Sequence, residues 1–416
     1  MNENTAKKVL IIGASAGEYT LAKKLSELEE ISEVFVAPGN DAMSDFCKTV
    51  DIREGNTEEL LEFALENGID MTIASSELAI KNDIASVFQR HNLMIFAPTQ
   101  ASAEICSNKS TGKKFMYKTR IPCAKFAIYD KPSMAIDYVS KSEMPVVIKT
   151  EEHQDDNGVL VCNAFSIAKT YIEELFDSGE KKVIIEDYIL GHEFSFYVIT
   201  DGYHAIPLGS VANYKHELEG DGGHLTSGMG SFAPDYKVTN QVERRILQQI
   251  IYPTLNTLDR QHTPYVGILG VDIVMNDMEQ LFVIEYNSFF KTPDSEVVLA
   301  LLNEDIYHLF QACVVGSFAD DYVKIDIEDA TAVSIVLNSK KSGAIINGLD
   351  DIDEDTQIAH FDTKKNTYLE YETRGKKALA VTRKARVLSK AVADLYDEVS
   401  VINFEGMKYR RDIAKV

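Results

Sequence analysis

The chain has 416 residues, too many for one simple core, and this length predicts about two to four structural units. Its composition, 45% apolar and 26% charged, is that of a globular protein with no low-complexity tract. A formal net charge of −23 excludes a nucleic-acid binder and obliges any anionic ligand to meet locally concentrated lysines or helix N-termini.

Five scattered cysteines, none in a CxxC pair, predict free thiols in a cytoplasmic protein and argue against zinc or redox motifs. No apolar run is long enough to cross a membrane, so no membrane contact is expected.

The N-terminal text alternates between strand and helix. KKVLIIGASAGEYTLAKKLSEL reads as a buried strand, a small-residue turn and an amphipathic helix. EVFVAPGN is a strand ending in a Pro-Gly turn. NTEELLEFALENG is a helix with an Asn cap and a Gly stop. DMTIASSE, IASVFQRHN and LMIFAPT add strand, helix and strand. This alternation predicts a parallel sheet over residues 1–104, with ligands at the carboxyl ends of its strands.

A lysine-rich helix, SNKSTGKKFMYKTR, opens a second unit over residues 105–320. IPCAKFAIYD, MPVVIKT, GVLVCNA and KKVIIEDYI read as its short strands, within a subdomain at about residues 125–190, and SIAKTYIEELFDSG as an intervening helix. EFSFYVITDGYHAIPLGSVA is a hairpin around Asp-Gly. GGHLTSGMGSF reads as a glycine-rich loop, and QVERRILQQIIYPTLNTLDRQ as a helix. GILGVDIVMNDMEQLFVIEYNS is two strands joined by a polar turn. A last unit, residues 325–416, holds strands and the helix ARVLSKAVADLYDEV.

The chemistry concentrates in three places. Asp272 lies in one strand of the GVDIVMNDMEQLFVIEYN pair; Glu285 lies in the next, with Asn287 on the same face two residues on. Two carboxylates and an amide oxygen suit a hard divalent cation such as Mg²⁺ or Mn²⁺, and they equally suit a solvated hairpin charge pair. In VIIEDYILGHEFSF, the backbone around Glu186–Ile189 can read an adenine edge, and Glu193 can accept from ribose hydroxyls. Lys109 and Lys149 form the third place. Lys149 ends a buried strand and needs a partner there, either a phosphate or a carboxylate such as Glu151 or Asp272. The loop that follows carries Glu151, Glu152, Asp155 and Asp156, an unusual charge for a segment that would cover polyphosphate.

Read in order, the pieces VLIIGASAGEYTLAKKL, VFVAPGN, IFAPTQASAEICSNKSTGKKFM, RIPCAKF, PVVIK, VIIEDYILGHEFSF, GMGSFAP, VIEYN and YRRDI resemble the phosphoribosylamine–glycine ligases of the ATP-grasp superfamily. The resemblance spans essentially the whole chain. It implies an α/β fold of ATP-grasp architecture, with a Rossmann-like N-terminal domain, a two-lobed α+β ATP-grasp domain and a small α+β C-terminal domain. It implies ATP as cofactor with Mg²⁺, and joining of glycine to phosphoribosylamine through an acyl phosphate in purine biosynthesis. Partners would be these small molecules, the assembly a monomer or homodimer. Lys109 and Lys149 would contact phosphates. Glu186, Ile189 and Glu193 would hold adenine and ribose, and Glu285 and Asn287 the metal, with Asp272 at a position where more distant ATP-grasp enzymes carry an acidic metal ligand. Gly13, Gly39, Asn40 and Glu77 would face phosphoribosylamine, with Thr226, Gly228, Met229 and Gly230 near the acyl acceptor.

The departures from the family pattern bear on the substrate side. The family's GSGGREH turn has Gly17 and Tyr19 in place of its Arg and His, leaving helix N–H groups to bind an anion. Its NCRFGDPE reads NSFFKTPD, so Phe289 replaces the arginine expected to stabilise an oxyanion. Lys291 is the expected substitute, a point charge acting with Asn287 as the catalytic pair. Asp272 stands where the close family has glycine. The family's GG turn in the last domain has become RGKKA. These departures leave open a ligase with a different amine substrate, or a nucleotide-binding relative without turnover.

Overall fold

The computed structural model describes residues 6–151 and 158–415. Its N-terminal layer is a parallel sheet of β1 (Lys7–Gly13), β2 (Ile31–Pro38), β3 (Lys48–Thr49), β4 (Met71–Ala74) and β5 (Ile95–Phe96), in the order β3-β2-β1-β4-β5. Val9 to Ile12 are fully buried in the central strand, which is why an unbroken apolar run serves there. Strand order reverses between β1 and β4. Their carboxyl ends therefore open a crevice, entered by Ser15 on one side and by Ser75 and Glu77 on the other. The helix Thr57–Asn67 begins at an Asn56 cap and ends at Gly68 in the left-handed conformation, as its sequence predicts.

The middle of the chain forms two lobes. One is an antiparallel sheet of β6 (Phe126–Tyr129), β7 (Val146–Thr150), β8 (Val159–Cys162) and β9 (Val183–Asp187), in the order β6-β9-β7-β8. The other carries β10 (His192–Asp201), β11 (Ala205–Leu218), β12 (Gly222–Ala233), β13 (Val266–Met275) and β14 (Leu281–Asn287). This second sheet runs on into the C-terminal unit. β12 pairs with β15 (Thr331–Ser339). After β16 (Gln357–His360) and the small β17 (Thr363–Lys365) and β18 (Tyr371–Thr373) hairpin comes β19 (Lys377–Ala385). The full order is β14-β13-β10-β11-β12-β15-β19-β16.

The glycine-rich stretch expected as a loop is thus largely β12. Its backbone pairs with β11 on one side and β15 on the other, and those ladders outweigh the weak strand preference of its glycines.

A shared apolar core joins the N-terminal layer to the large sheet, with Phe96 stacked on Phe310 at 4.0 Å between ring centroids. The helix Asp294–Leu301 is buried along its whole length in this junction. One of its residues, Glu296, is 1% exposed and takes a hydrogen bond from Ser295 Oγ at 2.6 Å, while its Oε1 has no hydrogen-bond partner. Burial pushes this carboxyl up from 4.5 to about 7, against the Ser295 bond. The unfolded chain lacks that burial. The neutral acid therefore favours the fold fully below about 4.5, and this contribution is lost as pH rises through about 7. The change corresponds to roughly 3 kcal/mol. Glu296→Gln should be more stable than the parent by up to that amount near pH 8, shrinking below about 1 kcal/mol near pH 5. Denaturant melts across this range check it; an equal gain at both ends would show that the charge of Glu296 is not what costs stability.

Candidate active site

A cavity of about 1290 Å³ lies between the two lobes and reaches the crevice of the N-terminal sheet. A single drug-sized ligand takes roughly 300–1,000 Å³, so there is room for a nucleotide and a second molecule.

One wall belongs to the small sheet and to the helix Lys109–Thr119. Lys149 is the penultimate residue of β7, whose Val147 pairs with Glu186 of β9. Glu186 is buried between two lysines: Lys113 Nζ lies 2.9 Å from its Oε2 and Lys149 Nζ 3.2 Å from its Oε1. The second is a charge contact without hydrogen-bond alignment, since Oε1 counts among the buried acceptors lacking such a partner. Burial alone would raise the Glu186 carboxyl, but Lys149 and Lys113 outweigh it and hold it low. Burial pulls the Lys113 ammonium down, with Glu186 opposing. The triad carries one carboxylate against two lysines, and of the three Lys149 and Glu186 line the cavity. Glu186 lines the cavity with its carboxylate anchoring the lysines, which leaves its backbone as the part that can read an adenine edge. Tyr188 and Ile189, just past β9, line the same wall, as do Glu193 and Lys109. Burial lowers the Lys109 ammonium, with Glu285 opposing.

Of the acidic residues after Lys149, Glu151 lies among the described ones. Glu151 is held away from the cavity by Lys182 at 3.0 Å and Ser110 Oγ at 2.8 Å. It is therefore not the partner of Lys149. Burial would raise its carboxyl, but Lys182 and Ser110 keep it low. Glu152, Asp155 and Asp156 lie outside the described residues.

The opposite wall is β13 and β14. Their register sets Asp272 across from Glu285 and Gly270 across from Asn287, as the hairpin reading requires. Glu285 and Asn287 face the cavity. Asp272 does not: it is 1% exposed behind them. Its Oδ1 accepts from Ser195 Oγ at 2.7 Å and Asn287 Nδ2 at 3.3 Å; its Oδ2 meets Lys215 at 3.0 Å and Lys291 at 2.5 Å. Asp272 is corrected from metal ligand to counter-ion, because donors already occupy both oxygens. Burial works against every charge here. It is outweighed for Asp272, held low by Lys215 and Lys291, and for Lys215 and Lys291, held high chiefly by Asp272. Lys291 also reaches Glu285 Oε1 at 3.0 Å. With Asn287 Nδ2 committed to Asp272, its Oδ1 is the atom left to coordinate. Glu285 and Asn287 thus offer hard oxygen donors at the cavity wall, and the donor set fits Mg²⁺ or Mn²⁺.

Beside them Asp294 is buried, accepting from Tyr197 Oη at 2.7 Å and Asn213 Nδ2 at 2.6 Å. Burial raises its carboxyl to about 6, against the Tyr197 bond.

The floor is shared by β12 and the N-terminal crevice. Thr226, Ser227, Gly228 and Gly230 line the cavity, whereas Met229 is 2% exposed and does not. Met229 is corrected to a packing residue. Gly228 has φ +114°, and a Cβ would lie 2.9 Å from Pro293 Cδ, so only glycine fits. Glu77 lines the cavity. Gly13, Gly39 and Asn40 do not. Asn40 instead donates to the carbonyls of Ala14, His360 and Phe361, at 3.2, 3.0 and 3.1 Å, and ties the first layer to the last. The open helix N-terminus also needs correction. Glu18 folds back in a capping box, accepting from Ser15 N at 2.7 Å, and its other oxygen accepts from Ser75 Oγ at 2.5 Å. Gly17 packs against Ser295, and Tyr19 packs between Phe46 and His360. Lys377, from the C-terminal unit, also lines the cavity.

Sequence reasoning missed Lys113, Ser195, Tyr197, Asn213, Lys215 and Asp294. Lys113 was findable: it follows Lys109 by four positions, the same helix face. The others depend on cross-strand register.

Family models match three consecutive stretches: the phosphoribosylglycinamide synthetase N domain at residues 7–106, its ATP-grasp (A) domain at 107–295 and its C domain at 338–416. The phosphoribosylamine–glycine ligase of Neisseria meningitidis serogroup B is 31% identical over 418 residues, covering 98% of both chains. That of Clostridium acetobutylicum is 30% identical, covering 98% of this chain and 99% of its own. The chain belongs to the phosphoribosylamine–glycine ligase family. Its fold matches the crystal structure of the Thermotoga maritima phosphoribosylamine–glycine ligase with a TM-score of 0.84 at 22% identity, covering 98% of this chain and 100% of that one. It also matches a Campylobacter jejuni biotin carboxylase, at 0.73 and 14%, over 98% and 94%. Membership makes the molecule an ATP-grasp ligase forming a C–N bond, and no helix among the described residues is long and apolar enough to cross a membrane.

Glu186→Gln should leave two buried lysines without a counter-charge. The expected cost is about 3–5 kcal/mol in denaturant melts, with weakened ADP binding in calorimetry. Unchanged stability would show that Glu186 is not what holds Lys113 and Lys149.

Proposed function

We propose that the chain joins glycine to phosphoribosylamine with conversion of ATP to ADP and phosphate, the amide-forming step of purine biosynthesis its relatives are named for. The observation that carries this is the meeting in one cavity of the Lys149–Glu186 pair, backed by Lys113, with the Glu285–Asn287 donor pair and the crevice of the N-terminal sheet. A family ligase needs the three together: a polyphosphate seat, a cation seat and a second substrate within reach.

In this reading Lys149 and Lys109 bond the phosphates, and the Tyr188–Ile189 segment and Glu193 hold adenine and ribose. Glu285 and Asn287 would hold Mg²⁺ or Mn²⁺, which would supply charge neutralisation for a transferring phosphoryl group. Glycine's carboxylate is a poor electrophile until phosphorylated. Lys291 then supplies the positive charge for the oxyanion that forms when the amine attacks, with Asn287 beside it. Ser75 and Glu77 at the carboxyl end of β4, and Thr226 to Gly230 on β12, bound the space for phosphoribosylamine. Asp294, buried to the point of a carboxyl near 6, is suited to the proton that the attacking amine sheds.

ADP release by purified protein should require glycine and freshly generated phosphoribosylamine together, and Lys149→Met should lower kcat/KM at least about 100-fold. Turnover with another amine and none with phosphoribosylamine would replace the substrate assignment. No turnover with any amine would sink the reading.

A further inference from the structure

Lys291 sits where the cavity's cation would have to work. Its ammonium bridges the two carboxylates of the β13–β14 pair, 2.5 Å from Asp272 Oδ2 and 3.0 Å from Glu285 Oε1. Its backbone N–H donates to Tyr197 Oη at 3.2 Å, so the base of the side chain is fixed by the large sheet. The side chain is 29% exposed and borders the cavity, so the ammonium can change partners without unfolding anything. Lysine and aspartate, in direct contact, form one charge-balanced unit.

We propose that Lys291 is a tethered cation that occupies Glu285 in the nucleotide-free protein and yields it only when nucleotide and divalent ion arrive together. This rests on the reading of Glu285 and Asn287 as ion ligands. A divalent ion at Glu285 would meet the ammonium a few ångströms away, where low dielectric makes like charges costly. Asp272 cannot relieve this alone, because Lys215 shares its Oδ2 at 3.0 Å. The polyphosphate relieves it. Its oxygens accept the ammonium, and Glu285 is released to the ion. The protein therefore discriminates against free divalent ion and loads the ion–nucleotide complex.

The test is Mn²⁺ binding, read by electron paramagnetic resonance with and without ADP. Lys291→Met should bind Mn²⁺ at least about tenfold more tightly than the parent without ADP, and the difference should shrink when ADP is present. The double variant Asp272→Asn/Lys291→Met removes both charges, guards against a fold upset by an unpaired Asp272, and should show the same tightening. Lys377→Met, which removes a cavity lysine away from Glu285, should change Mn²⁺ affinity by less than about twofold. Unchanged Mn²⁺ affinity in both Lys291 variants, with ADP-dependent Mn²⁺ binding intact in the parent, would overturn the tethered cation alone. Equal tightening in Lys377→Met would also overturn it, as an effect of net charge. Absence of Mn²⁺ binding by the parent even with ADP would overturn the ion-ligand reading and this inference with it.

Discussion

Asp272 is a carboxylate that never meets the cavity, yet it determines where the cavity's charges stand. Four strands contribute to it: Ser195 from β10, Lys215 from β11, Asp272 itself from β13, and Asn287 from the end of β14, with Lys291 just beyond. Removing a buried carboxylate from water is costly unless donors fill both of its oxygens, and here they do. In return each donor has a fixed position. Asn287 has its amide nitrogen committed and its oxygen free to turn outward. Lys215 and Lys291 are held at the wall though the interior disfavours them.

Glu186 does the same on the facing lobe for Lys113 and Lys149. Both walls therefore follow one scheme, a buried carboxylate that holds two lysines. This answers the difficulty of a chain with a net charge of −23 that must attract polyphosphate. The global field is repulsive, but at contact distance the ligand meets fixed ammonium groups in a low-dielectric cleft, where they count most. Glu151 fits this pattern, since its charge is spent on Lys182 and Ser110 outside the cavity.

The substrate side is arranged by packing more than by charge. Gly17 lets the first helix approach Ser295, and Tyr19 fills a gap against Phe46 and His360. Those replacements serve the junction of the first and last layers, which Asn40 also ties. Lys377, delivered from β19, lines the cavity.

The sequence alone determined what depends on near neighbours. The Asn56 cap and Gly68 stop of one helix, the Asp-Gly hairpin, the parallel first sheet, and the facing of Asp272 and Glu285 all follow from local periodicity and turn chemistry. The family's motif order made the lysines and the Glu285–Asn287 pair legible as well. Tertiary structure decided what depends on partners far along the chain. Strand character for Gly222–Ala233 comes from two ladders, one with a strand about a hundred residues away in sequence, which no glycine-rich run announces. The roles of Asp272 and Glu186 were likewise undecided. A carboxylate is a ligand if it faces the cavity and a counter-ion if lysines reach it first. Only the register and layering of distant strands settle which, because charge interactions depend on separation in space and not in sequence.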